Sequence, residues 1–241
     1  MGKLLVGFIN DLRRMFLVAV QKYNSVIVFT EDRSVNLFVN ANEDVGKGLL
    51  IGDFETTDID FFVSMILPHD IVFDIGANLG VYSLEASAKV ESSRIVAFEP
   101  IPANVALIRA SALVNSMANI QVVESCVTNK TGTVSFSISN DSAYSSMRAT
   151  GRKEEREEIE CKAIRLDEYC ATAEIIRIDV CKIDVEGAEE LVIRGAGNLF
   201  INEKSRPRLI LVELYDENLK PFESSIESVV SYMQSINYEP F

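Results

Sequence analysis

Val72-Phe73-Asp74-Ile75-Gly76-Ala77-Asn78-Leu79-Gly80-Val81-Tyr82-Ser83 runs from a short apolar segment through an acid and two glycines into a helix-like pattern. A strand, a tight turn and a helix start are expected in that order. Glycines at 76 and 80 let the backbone turn sharply and approach a ligand closely. A dinucleotide fingerprint needs G-x-G-x-x-G. The spacing here is G-x-x-x-G, with Asn78 where the middle glycine would stand. That argues against an NAD-dependent dehydrogenase and suits a ligand with an amino-acid tail. Asp74 is expected to meet the amino group of such a ligand, directly or through water.

The same alternation continues outward. Ile71–Asp74, Ile95–Phe98, Ile120–Val127, Val180–Val185 and Leu209–Leu214 read as buried strands, and Val81–Val90, Ala103–Asn115, Ala188–Gly195 and Ser224–Ile236 as helices. Short apolar runs alternating with helices predict βαβ units and a parallel sheet covered on both faces. Thr133–Ile138 and Ile159–Ile164 read as antiparallel strands, and the charged run Lys153–Glu160 as a solvated loop or turn of helix. Tyr238–Phe241 is expected to begin a sixth core strand. Upstream, Val26–Thr30 and Val35–Val39 predict a β-hairpin. A loop with Gly46 and Gly48 follows, then a helix over Asp58–Leu67 stopped by Pro68. The expected division is an extension over 1–67, packed on a ligand-binding domain over 68–241.

Four of the core strands end in acid: Asp74, Glu99, Asp184 with Glu186 beyond it, and Glu213. Ligands of open α/β sheets bind outside the carboxyl ends of the strands. Carboxylates at such places are either used or cap the following helix. Glu99 stands where an acid accepts hydrogen bonds from both hydroxyls of a ribose. Together with the glycine turn, it points to an adenosyl amino acid. Ser125 and Cys126, at the end of the third strand, flank either an adenine edge or nothing in particular. Lys182, Asp184 and Glu186 alternate and are expected to share one face of a strand. They form a base or substrate anchor with Glu213, Asp184 first among them, or a salt-bridged cluster that only orders the loop, or, through Asp184, Glu186 and Glu213, a Mg²⁺ site. Ser142, Ser145 and Ser146 lie in a polar insertion that either covers the pocket or is an ordinary loop.

Composition narrows the partners. The 241 residues carry a net charge of −13, which argues against nucleic acid. One histidine, His69, and four cysteines without close pairing make no zinc motif, so no metal is assigned. Such cysteines fit reduced thiols and a cytoplasmic location. No run of about 20 apolar residues predicts a transmembrane segment. Lys3–Lys22 reads as an amphipathic helix whose four basic residues against Asp11 leave it about +3. It packs on the domain, joins a second copy as a homo-oligomer, or docks on a membrane surface or partner.

Three motifs carry a resemblance. Phe73-Asp74-Ile75-Gly76-Ala77-Asn78-Leu79-Gly80, Ala97-Phe98-Glu99-Pro100-Ile101-Pro102-Ala103-Asn104 and Lys182-Ile183-Asp184-Val185-Glu186-Gly187-Ala188-Glu189 resemble the FkbM-type methyltransferases. The agreement runs over about residues 52–215 and includes Ser145-Ser146 and Arg194-Gly195-Ala196. The resemblance implies a Rossmann-like class I methyltransferase fold: a mostly parallel, seven-stranded-type sheet with helices on both faces, here with the N-terminal helix and hairpin added. It implies S-adenosylmethionine as cofactor, held by Asp74, Gly76, Ala77, Asn78, Gly80, Glu99, Pro100, Asn104 and Ser125. It also implies O-methylation of a hydroxyl on a small natural product or sugar. The alternative is a catalytically silent cofactor-binding or scaffold module docked through the N-terminal helix. Such folds finish with a two-strand hairpin, which this chain lacks at Phe241. The last strands are expected beyond it or from elsewhere, the N-terminal hairpin being the candidate.

Overall fold

The computed structural model describes residues 25–29, 35–51, 54–149, 151–152 and 154–241; the amphipathic segment Lys3–Lys22 lies outside them. In chain order the strands are β1 (Ser25–Phe29), β2 (Asn36–Asn40), β3 (Ile71–Ile75), β4 (Arg94–Glu99), β5 (Ile120–Glu124), β6 (Cys126–Val127), β7 (Gly132–Ser139), β8 (Glu155–Ile164), β9 (Val180–Ile183) and β10 (Leu209–Val212). The helices are α1 (Asp44–Ile51), α2 (Thr56–Ser64), α3 (Val81–Lys89), α4 (Pro102–Val114), α5 (Leu166–Thr172), α6 (Glu189–Gly195), α7 (Asn198–Ile201), α8 (Asp216–Leu219) and α9 (Ile226–Ser235).

The centre is a five-stranded parallel sheet in the order β10-β9-β3-β4-β5. Its side chains alternate between two cores, as a pleated strand requires. Val72, Ile95, Val180 and Leu209 pack with α2, α3, α4 and the buried residues of β2. Phe73, Val96, Cys181 and Ile183 pack with α5, α6, α7 and α9. The first strand of this sheet in chain order, β3, sits in its middle, so the direction of winding reverses between β3 and β9. Their carboxyl ends splay the loops apart there, as α/β sheets do at a switch point.

Several local expectations give way to tertiary contacts. The third core strand stops at Glu124, because Ser125 turns back to bond its N–H to the Val123 carbonyl at 3.0 Å. Cys126–Val127 then pairs with β8 in a second sheet ordered β6-β8-β7. The charged run becomes β8 from Glu155 onward. Opposite β7, Ile159 faces Phe136 and Cys161 faces Val134, while Glu158 and Glu160 lie on the outer side. From Ile159 onward every second residue is apolar (Ile159, Cys161, Ala163), and pairing with β7 carries the charged residues before it into the same strand. The stretch with Gly46 and Gly48 is helix α1. Two glycines cost it propensity, but buried Leu49 and an Asp44 N–H bond to Asp141 Oδ2 at 2.7 Å hold it. The fourth core strand ends at Ile183 and the helix before Pro68 at Ser64. Tyr238–Phe241 forms no strand; the Tyr238 hydroxyl bonds to the Pro207 carbonyl at 2.9 Å instead. The N-terminal hairpin stays a separate sheet. It packs on α4 through Phe38 N–H to Ser111 Oγ at 2.8 Å and Asn36 N–H to Asn115 Oδ1 at 2.9 Å, and adds no strand to the centre.

Candidate active site

Two clefts open on the carboxyl rim of the sheet, where open α/β sheets bind their ligands. The first is lined by Gly76, Glu99, Pro100, Ser125, Phe136 and Met147 among others. The second is lined by Ala77, Tyr82, Lys182, Glu213, Tyr144 and Arg152 among others. Asn78, Ala143, Asp184 and Glu186 line both, so the clefts meet there.

Sheet register builds this junction. Asp74 on β3 lies opposite Lys182 on β9. The two share a face, and the ammonium sits 3.9 Å from Asp74 Oδ1. It donates to Asp184 Oδ2 at 2.9 Å and to the Gly76 carbonyl at 3.3 Å, and lies 4.9 Å over the Tyr82 ring. Burial alone would lower the Lys182 pKa; the Asp184 and Asp74 carboxylates outweigh it and hold it above its ordinary value. At Gly76, φ is +78° and a Cβ would overlap the Asp184 carbonyl. The β3 turn can therefore close on the β9 turn only with glycine there, and the same absence of a side chain leaves the cleft floor bare.

Asp74 lies beneath that floor and does not line either cleft. It is 1% exposed, accepts from Ser83 Oγ at 2.6 Å, and its Oδ1 accepts no hydrogen bond among the described residues. Burial pushes its carboxyl up, against the pull of Lys182. Gly80 starts α3 at φ 76°, and Ala77 faces the second cleft.

Glu99 is buried on the first cleft. Its Oε2 accepts the Asn78 N–H at 2.9 Å; its Oε1 accepts the Ile101 N–H at 3.0 Å and Asn104 Nδ2 at 3.3 Å. When ionised, the carboxylate has about four acceptor sites, so one stays open on Oε2. That is room for one hydroxyl rather than the two expected, with Asn104 serving the carboxylate instead of the cleft. Burial raises the Glu99 carboxyl to about 8, although the Ile101 and Asn78 N–H bonds oppose it. A group raised on folding stabilises the fold below its unfolded pKa and loses that contribution as pH rises through the folded value. The thermal midpoint of wild-type protein relative to Glu99→Gln is therefore expected to fall between about pH 4.5 and about pH 8, as calorimetric scans across that range would read.

The acids at the junction perturb one another. The strand alternation stops at Asp184, because Glu186 takes the left-handed φ of 52° and Gly187 a φ of 106°. Glu186 thus turns off the shared face expected for it and points to the mouth between the clefts. Burial, then the Asp184 charge, push its carboxyl up to about 8, with Arg152 opposing at 3.0 Å. The Asp184 charge and then burial raise Glu213 to about 7.

A strap formed by the connection from β7 to β8 roofs both clefts. Ser142 and Ser145 line the first, while Ser146 Oγ donates to the Glu186 carbonyl at 2.7 Å. Arg152 lies between the Tyr144 ring at 4.5 Å and the Tyr215 ring at 5.2 Å. Ser142 also donates to Glu43. Sequence reasoning missed Asp44, Glu55, Tyr82, Tyr144, Arg152 and Asn218. Only Tyr82 carried a signal, two places beyond the second glycine. His69 precedes β3 on the opposite rim. Among the described residues no cluster has metal-ligand geometry, and no helix is long and apolar enough to cross a membrane.

Residues 74–240 match the model of the methyltransferase FkbM domain. The chain belongs to the FkbM methyltransferase family. Among curated proteins, this FkbM-family chain is similar to 31-O-demethyl-FK506 methyltransferase FkbM of Streptomyces tacrolimicus, 29% identical over 62% of this chain and 66% of that one. It is also similar to methyltransferase sdnD of Sordaria araneosa, 26% identical over 58% and 65%. The matched region thus spans just under two thirds of these relatives. One similar solved structure is a precorrin-6y C5,15-methyltransferase from Geobacter metallireducens, with a TM-score of 0.44 and 17% identity over 75% of this chain and 71% of that one.

Proposed function

We propose that this chain is an S-adenosylmethionine-dependent O-methyltransferase acting on a hydroxyl of a small natural product or sugar. The observation that most supports this is the meeting of two clefts at Asn78, Asp184 and Glu186. One carries the glycine turn and the buried Glu99; the other carries a base-rich rim. Bound in the first cleft, S-adenosylmethionine supplies a methyl group already activated on a sulfonium. The protein's work is then positioning and exclusion of water. The bare floor at Gly76 and the open acceptor site on Glu99 fit such a ligand. Gly76, Asn78, Glu99, Pro100 and Ser125 line its place; Asp74, Ala77, Gly80 and Asn104 hold those residues in position.

The acceptor hydroxyl occupies the second cleft, to which the extension over 1–67 contributes Asp44 and Glu55. An alcohol gains from a base whose pKa lies near the working pH. Glu186 meets that condition, with its carboxyl at about 8. Asp184, fixed by Lys182, anchors the acceptor, and Glu213 flanks it. Glu186, not Asp184, is thus the proton acceptor in this reading. The Streptomyces relative is named for a 31-O-demethyl acceptor, which favours oxygen as the methylated atom. Four buried free thiols fit the cytoplasm.

Incubation with S-adenosylmethionine labelled in its methyl group, against panels of hydroxylated, amine and carboxylate compounds, tests this reading. Label is expected on hydroxyl oxygen. Label found solely on nitrogen or carbon would contradict it.

A further inference from the structure

We propose that Asn218 is a positioning residue for Glu186: its side-chain amide holds that carboxyl at the junction of the clefts and serves it in both protonation states. The proposal rests on the reading of Glu186 as proton acceptor.

Asn218 lies in α8, just beyond β10, and is 5% exposed. Its Nδ2 donates to Glu186 Oε2, while its Oδ1 is buried and accepts no hydrogen bond among the described residues. The backbone fixes the pair. A Cβ on Gly187 would overlap the Asn218 carbonyl, so α8 is pressed against the turn that carries Glu186. Asn218 therefore cannot drift from the carboxyl it holds.

The other groups facing Glu186 serve one state only or repel. Arg152, from the strap, has donors and no acceptor, so it favours the ionised carboxylate. Asp184 and Glu189 on its own turn and Glu213 beyond β10 disfavour ionisation. Ser146 is spent on the Glu186 carbonyl. Among the described residues, the Asn218 side-chain amide brings both a donor and an acceptor to the carboxyl. With Glu186 ionised, Nδ2 donates to it. With Glu186 protonated, a half-turn of the amide presents Oδ1 to the carboxyl O–H. The orphaned Oδ1 is then the partner of the neutral state, and a proton taken from an acceptor hydroxyl lands on a carboxyl whose new donor is already matched.

Substitution separates this role from mere packing. The bond to the ionised carboxylate is charge-assisted and the stronger of the two. Losing both bonds in Asn218→Leu therefore raises the Glu186 midpoint, by about one pH unit. Asn218→Asp removes the donor and adds a like charge, and raises it further. The probe is the ¹³C carboxyl resonance of Glu186 in glutamate-labelled protein, assigned by its loss in Glu186→Gln, alongside the pH dependence of turnover. If leucine is not accommodated, the isosteric Asn218→Asp carries the test. Both midpoints are expected to move together, with turnover near pH 7 down about tenfold. An unmoved carboxyl midpoint in a folded variant overturns the proposal whatever the activity. A moved midpoint in protein that methylates nothing supports the pair and counts against the reaction instead.

Discussion

Glu186→Gln is expected to lower turnover by about 10²–10⁴-fold while donor affinity stays close to wild type. Glutamine keeps the shape and the contacts to Arg152 and Asn218 but cannot accept the acceptor's proton. The pH profile gives a second reading of the same residue. With its carboxyl near 8, Glu186 is mainly protonated at neutral pH and idle as a base. Turnover of the wild-type protein should therefore climb tenfold per pH unit below about 8 and level off above it. The variant should show residual activity without that limb. A wild-type limb that survives in Glu186→Gln would move the role of base to Asp184 or Glu213. Asp184→Asn separates anchoring from proton transfer. It should weaken acceptor binding and turnover together, leaving the midpoint of the limb in place or lower, since the Asp184 charge is one of the causes that raise Glu186.

Lys182→Met should be the most destabilising single change in the site, at about 3–5 kcal/mol. Methionine fills the space but leaves Asp74 and Asp184 without their shared cation. Asp74 is the costlier, being 1% exposed with one oxygen already unpaired. In a chain of this size such a loss lowers the thermal midpoint by roughly 10 °C. The deficit should shrink at low pH, where Asp74 protonates and no longer needs the ammonium. It should also shrink in the double variant Lys182→Met with Asp74→Asn, so the two substitutions would be non-additive. Additive losses would mean that the 3.9 Å approach is incidental and that Lys182 is held for Asp184 alone.

The sheet was legible in the chain because each of its parts is local. Phe73 to Gly80 encodes strand, turn and helix start within one window, and Glu99 and Asp184 repeat the strand-then-acid pattern at the next rims. Topology adds what no window contains: β3 and β9 become neighbours, and Asp74 faces Lys182 in register. Glu186 was misplaced by extending a period of two past the end of β9. The Gly187 beside it was the available sign of a turn. Arg152, Tyr144 and Asn218 had no sign at all. They lie in polar connections without periodicity, and the strap acquires its place through contacts far along the chain, among them those to Glu43, Asp44, Glu186 and Pro221. The break at Ser125 and helix α1 fall in the same class, where tertiary bonds override local preference.

Calorimetric titration of the purified chain with S-adenosylmethionine, S-adenosylhomocysteine and NAD⁺ tests the central claim most directly. Micromolar binding of both adenosyl ligands, weakened in Glu99→Gln, with none of NAD⁺, is the result predicted. A folded protein that binds neither adenosyl ligand would contradict the account.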